Sequence, residues 1–299
     1  MKEQIPDMKE YRLGMIGAIG CPVLWGILPI YWHALRPIDS WVIIVYRIFL
    51  VFIVSLIAAK SCYSRKRLVE PLRDRGTRVK YLMAGVMITV DWSVYIWAVN
   101  SDNVIQACIG NYMEPLMVCV FGIFFFHEKM TKYKTVAFVL VIGSVILILF
   151  HFGEIPTIAL VLAVAFAVYS AIKKTVQQPP LISLLYETMF LAPPALIAII
   201  YMEMTGRGAI GVGHPYQYGL LLLSGLFTVI PLWLFALAAR RVSLVTLGLT
   251  EYISPTLSLI IGIFMFREPF DSVQFIAFAI IWTGLVFFTY GELAVKKTS

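Results

Sequence analysis

The sequence predicts an all-α polytopic membrane protein, with ten transmembrane helices arranged as two inverted five-helix repeats. Three observations predict it. Of 299 residues, 60% are hydrophobic and only 14% charged, whereas a soluble domain is roughly a quarter charged. Ten stretches reach the length of about 20 mostly apolar residues that a helix needs to cross a bilayer. One stretch of text occurs twice, 140 residues apart, with its flanking basic residues at opposite ends.

In chain order the spans are 12–32, 40–60, 79–99, 103–126, 133–151, 155–173, 181–203, 216–239, 243–266 and 272–291. The first follows MKEQIPDMKEYR, which is charged and has no small-residue cleavage site after a short apolar core, so no cleaved signal peptide is expected. The second follows Arg36 and carries Arg47, the one basic residue inside a span. The third emerges from the segment Lys60 to Lys80, which holds eight Lys and Arg. The fourth enters from NSDN and leaves at EKMTKYK, where Lys129, Lys132 and Lys134 precede the fifth. The sixth closes on Lys173 and Lys174. The seventh carries Glu187 and runs into a Gly-rich loop, TGRGAIGVGH, which reads as a linker rather than a catalytic loop. The eighth ends at Arg240–Arg241, the ninth enters from ARRVS and leaves at REPFD, and the tenth runs to Lys296 and Lys297.

Twenty of the 24 Lys and Arg thus lie on the side of the N-terminus, and the opposite loops hold only Arg36, Arg207 and Arg267. Basic residues collect on the cytoplasmic side of membrane proteins. Both termini are therefore expected in the cytoplasm, in the inner membrane of a prokaryote. The net charge of +7 reads as orientation against anionic lipid, not as a nucleic-acid footprint. Cys21, Cys62, Cys108 and Cys119 show neither CxxC nor metal-ligand spacing, so no disulfide framework and no metal site are expected.

The repeat pairs Tyr112–Glu128 with Tyr252–Glu268. Without a gap, 7 of 17 positions are identical, including Tyr112/Tyr252, Pro115/Pro255, Gly122/Gly262 and Glu128/Glu268. Shared Tyr, Pro, Gly and Glu at one offset mark a duplicated unit. The first copy runs towards its basic end and the second away from it, as inversion requires. The expected units are 1–151 and 152–299, related by a pseudo-two-fold axis in the membrane plane. Such inverted repeats are typical of transporters.

Ionisable groups at membrane depth are expensive and usually face a cavity or a partner. Five stand out: Arg47, Asp91, Glu114, Glu187 and Glu251. Glu114 lies near the middle of the fourth span, with Asn111 on the same helix face. Pro115 lacks an N–H and frees a carbonyl one turn back. The second copy repeats the layout with Glu251 and Ser254 beside Pro255, so Pro115 and Pro255 are expected helix bends. Two readings fit these polar pairs: cavity lining, or helix glue that satisfies the freed carbonyls. Asp91 either lines a pathway or is a buried acid paired with Arg47, and Arg47 and Glu187 are near enough to span ends to snorkel. Trp25, Trp92 and Tyr95, deep in their spans, are candidates for a stacking wall. Tyr252 is placed on the same pathway by its position in the repeat.

No P-loop, GxSxG, HExxH or GxGxxG occurs in a usable context. No cofactor is implied, and any active transport has to run on an ion or substrate gradient. A membrane-embedded enzyme would need a nucleophile–base or metal constellation that the sequence lacks. A receptor or scaffold would need no polar groups at mid-membrane.

Several short runs then point to a family. These are LWGILPIYW at 24–32, WAVN at 97–100, ETMFLAPPAL at 187–196, TLGL at 246–249, YISPTL at 252–257 and FREP at 266–269. In order and spacing they resemble the drug/metabolite transporter superfamily, its EamA families, and within them the RarD-type permeases. The resemblance covers essentially the whole chain. It implies a secondary transporter working by alternating access, with amino acids, their derivatives or amphipathic drugs as solutes. Where that branch has Asn-Trp and Asn-Pro, this chain has Asp91-Trp92 and Glu114-Pro115. An acid taken out of water is harder to ionise and can carry a proton between two sides. Glu114 is the best-placed proton-responsive group; the same carboxylate would also serve as counter-ion to a cationic solute.

Overall fold

In a computed structural model, residues 8–100, 104–153, 157–267 and 271–298 are described. The helices are α1 (Met8–Ala34), α2 (Ser40–Cys62), a short α3 (Arg65–Val69), α4 (Arg75–Asn100), α5 (Val104–Phe124), α6 (Lys132–Phe152), α7 (Thr157–Thr175), α8 (Pro180–Met189), α9 (Ala192–Met204), α10 (Pro215–Ala239), α11 (Leu244–Glu251), α12 (Ile253–Phe264) and α13 (Ser272–Thr298). A single 3₁₀ turn, Glu70–Arg73, links α3 to α4. No strand occurs among the described residues. Among the described residues nine apolar segments are long enough to cross a membrane, or ten if the bent pair α8–α9 is one span. The protein is an all-α polytopic membrane protein.

Local chemistry sets the ends. Asp39 caps α2 by accepting from the Trp41 N–H at 2.8 Å. Thr131 does the same for α6 and Ser243 for α11. At the start of α4 the Asp74 carboxylate accepts from the Thr77 hydroxyl and N–H, which hold it below the usual carboxylate range. Gly153, in the left-handed region, ends α6.

Two of the expected spans are each made of two helices, and in the second the sequence predicts a bend at Pro255. The span at 181–203 is α8 and α9, bent by 55°. Pro193 and Pro194 fall at the start of α9, where the missing N–H groups cost nothing but cannot continue α8. The span at 243–266 is α11 and α12, which meet at Tyr252. Its first-copy counterpart, α5, is helical on both sides of Pro115.

Helices from before residue 151 pack mainly on helices from after it. α1 lies against α10, α11 and α12, α2 against α8, α9 and α10, α4 against α7 and α8, α5 against α7 and α11, and α6 against α13. Gly85 and Gly225, again 140 apart, make matching close approaches. A methyl on Gly85 would strike the Glu187 carbonyl, and one on Gly225 would lie 2.7 Å from the Leu50 carbonyl. The largest core cluster, around Tyr169, Phe235 and Leu247, sits where α1, α4, α7, α8, α10 and α11 meet. Apolar side chains such as Ile57, Phe150 and Leu222 cover the outside, as hydrocarbon contact requires.

The N-terminal end of α1 and the C-terminal end of α13 lie together, joined by the Tyr11 hydroxyl on the Glu292 carboxylate. Arg240, Arg241, Lys134 and Lys174 gather there too, and this is called the basic end below. Arg241 pairs with Glu10 at 2.6 Å, and Lys134 with Glu292 at 3.1 Å. Among the described non-glycine residues only His127 and Arg267 have positive φ, 50° and 56°. They occupy the same place in the two copies of the repeat, just before Glu128 and Glu268. Glu268 itself lies outside the described residues.

Candidate functional site

Two cavities adjoin at the middle of the molecule. The wide one holds about 860 Å³ and opens at the end opposite the basic one, beside His33, Arg36, Met265 and Phe266. Its floor carries the groups singled out from sequence: Arg47 on α2, Asp91, Trp92 and Tyr95 on α4, and Asn111 and Glu114 on α5. The narrow one, about 130 Å³, is lined by Trp25, Phe166, Pro115, Glu251, Ser254, Pro255 and Ser258. Asn111 and Glu114 line both. The polar pair of each repeat copy therefore faces one or both of these adjoining cavities, with Glu114 between them.

Arg47 sits between two indoles. Its guanidinium carbon is 4.0 Å from the Trp92 ring centre and 5.3 Å from that of Trp32. Attraction to ring faces holds a desolvated cation in place without neutralising it. The buried Arg47 Nε has no hydrogen-bond partner, and neither does Asp91 Oδ1. No Arg47–Asp91 ion pair forms among the described residues. The two groups thus make no contact ion pair, though their charges still act on each other. A guanidinium and a carboxyl group face the cavity from separate helices, each with an unsatisfied atom. Unmet polar atoms in a buried place are costly, and a solute bearing both an anionic and a cationic group would satisfy them.

The narrow cavity is framed by aromatics. Trp25 is held by Phe166 at 5.9 Å and Phe235 at 5.8 Å between ring centres. Glu251, at the last turn of α11, is 4% exposed and its Oε1 lacks a partner. Ser258 donates to the Gly26 carbonyl and ties α12 to α1.

Two sequence candidates line neither cavity. Tyr252 is fully buried; its hydroxyl donates to the Tyr112 carbonyl at 2.7 Å. Glu187 pairs with Lys173, Nζ to Oε1 at 2.6 Å, and also accepts from the Ser183 hydroxyl. Both charged side chains are about as buried as the apolar core, at 2% exposure. Glu187 does not snorkel, and Lys173, counted from sequence as a loop charge, is an interior partner. The signal that could have found it is its place at the very end of an apolar run. Trp32, which backs Arg47, and Glu128, whose contacts lie at the basic end, were not among the candidates either. In the sequence Glu128 stands out only as a residue repeated at Glu268. Among the described residues no three His, Cys, Asp or Glu gather as a metal site would need.

The sequence pattern of the EamA-like transporter family matches this chain twice, over residues 12–150 and 155–290. An uncharacterized transporter of Bacillus subtilis, YojE, is 34% identical over 97% of this chain and 98% of its own length. Protein RarD of Streptomyces exfoliatus is 32% identical over 97% of this chain and 92% of its own length. Protein RarD of Escherichia coli is 30% identical, covering 97% and 98%. A crystal structure sharing only 15% identity superposes with a TM-score of 0.71 over 92% of this chain and 96% of that one, a likeness of fold.

Proposed function

The chain belongs to the EamA-like transporter family, on its RarD-type branch, and from that premise we propose that this membrane transporter moves small organic solutes by alternating access through the two adjoining cavities. One observation carries the reading: the space holding Arg47, Asp91 and Glu114 is open at one end, while the basic end is bridged by ion pairs between residues far apart in the sequence. On this reading the structure is the state open away from the basic end. By the excess of Lys and Arg, the basic end faces the cytoplasm of a prokaryotic inner membrane. The proposed units are residues 1–151 and 152–299. What supports inversion is the swapped basic residues, the matching φ of His127 and Arg267, and the paired approaches of Gly85 and Gly225.

The solute we propose carries an ammonium or other cationic head, with or without a carboxylate, on an apolar or aromatic body. Asp91 and Glu114 receive the cation, Arg47 Nε receives an anion, and Trp92 and Tyr95 pack the body. That describes amino-acid-like metabolites and amphipathic cationic drugs. Membrane lipid is the other partner proposed. Glu114, the acid shared by both cavities, is the proposed proton carrier or counter-ion. Uptake of a panel of radiolabelled zwitterions and amines into proteoliposomes tests the reading. Saturable uptake of some member, lost in Asp91→Asn, is expected. Folded protein that moves no member of the panel contradicts it.

A further inference from the structure

Past Phe124 the chain turns back on itself. His127 takes a left-handed backbone, φ 50°, and the Glu128 N–H donates to the Gly122 carbonyl at 3.1 Å. The Glu128 carboxylate is thereby folded over Gly122, where a methyl would lie 2.7 Å from Oε2 and 3.0 Å from the Leu244 Cβ. From there it reaches the first turn of α11. Oε1 accepts from the Leu244 N–H at 2.8 Å and Oε2 from the Val245 N–H at 2.9 Å. Lys174 on α7 completes the arrangement, with Nζ 3.0 Å from Oε1 and 2.9 Å from the Val242 carbonyl.

A helix leaves its first four N–H groups without internal partners. In α11 the Ser243 hydroxyl serves Thr246, and one carboxylate from a distant loop serves Leu244 and Val245. A negative charge there is also favoured by the helix dipole. Glu128 precedes residue 151, while every one of these partners follows residue 152. The contact therefore spans the two proposed units. α11 is only eight residues long and ends at Glu251, which faces the narrow cavity. One short, stiff helix thus connects the Glu128 contact to the polar centre.

We propose that Glu128 is the latch of the basic end: a positioning residue whose carboxylate holds α11 against α5, and which must let go before the cavities open to that side. The proposal rests on the alternating-access reading. A cap that merely stabilised α11 would not bias one end against the other; a latch does.

Cys119 is a built-in reporter. It is fully buried on α5 and its thiol donates to the Val245 carbonyl at 3.5 Å, directly below the latch. With Cys21→Ala, Cys62→Ser and Cys108→Ser, it is the single target for a hydrophilic maleimide applied at the basic end of membrane vesicles. Ser40→Cys, in a Cys119→Ser version of the same background, reports on the mouth of the wide cavity. Hydrogen bonds to a charged group are stronger than neutral ones, and a tenfold change in an equilibrium corresponds to about 1.4 kcal/mol. Glu128→Gln and Glu128→Ala are therefore expected to speed Cys119 labelling by about tenfold or more and to slow labelling at position 40. Lys174→Met, which leaves the cap intact, moves both rates in the same directions by less. Rates at both positions within about twofold of the parent, or rising together as in a loosened fold, overturn the latch. Labelling needs no solute. Reciprocal shifts without flux of any solute would leave the latch standing and remove the transport reading; flux without reciprocal shifts would remove the latch alone.

Discussion

Tyr252 gives its hydroxyl hydrogen bond to the backbone carbonyl of Tyr112, 2.7 Å away, and these two tyrosines are the same residue of a duplicated motif. The repeated segments thus meet each other at the centre of the fold. Thr256 extends the link: its hydroxyl donates to the Tyr252 carbonyl at 2.8 Å and accepts from the Trp282 indole at 3.1 Å. Tyr252→Phe keeps the ring and removes one hydrogen bond, a net loss of about 0.5–1.5 kcal/mol. The expected outcome is a melting temperature lower by a few degrees in detergent, with transport retained. An unchanged melting temperature would mean the contact contributes no stability.

Trp92 carries Arg47 on its face, so its loss should free the guanidinium as well as open the wall. Cation–π contacts contribute from about 0.5 to 2 kcal/mol or more, depending on desolvation. Trp92→Ala is expected to weaken solute binding by about tenfold, Trp92→Phe by less, and Tyr95→Ala to weaken it without disturbing Arg47. Unaltered transport kinetics in well-expressed Trp92→Ala and Tyr95→Ala protein would contradict the aromatic wall.

Lys173 and Glu187 are a buried ion pair at 2.6 Å with Ser183 as third member. Breaking one partner of such a pair costs about 3–5 kcal/mol, because the other charge stays buried and alone, whereas replacing both by apolar groups is often neutral. Lys173→Met and Glu187→Leu should each reduce folded yield and thermal stability severely, and the double variant should recover most of the loss. Equal damage in the double variant would point to a role beyond the pair.

Inverted topology has a direct test in sided cysteine labelling. Positions 129, 240 and 241 should react from the cytoplasm, and positions 207 and 271 from outside. Lys129 and Asp271 on one side would end the inverted duplication.

Much of this fold is readable because apolar length and basic loops are local properties, and because Tyr112, Pro115, Gly122 and Glu128 recur at one offset. The break at α8–α9 was also written in the text, as Pro193–Pro194 inside an apolar run, but run length alone conceals it. What no local pattern contains is pairing across the chain. Asp91 and Arg47 looked like natural partners, yet Trp92 and Trp32 hold the guanidinium instead. Glu128 and Leu244 are separated by 116 residues, so the repeat could mark the glutamate as special without showing what it grips. Lys173 and Glu187 lie on different helices whose packing, not spacing, brings them together.

The central claim is that solute crosses through the space shared by Asn111 and Glu114, with Glu114 answering to protons. Uptake into proteoliposomes under an imposed pH gradient, comparing wild type with Glu114→Gln, tests it most directly. Gln keeps the size and hydrogen bonding of Glu114 and removes its titration. Wild type should accumulate solute against its gradient, while Glu114→Gln should exchange solute at equilibrium yet fail to accumulate it. Full gradient-driven accumulation by Glu114→Gln would contradict the account.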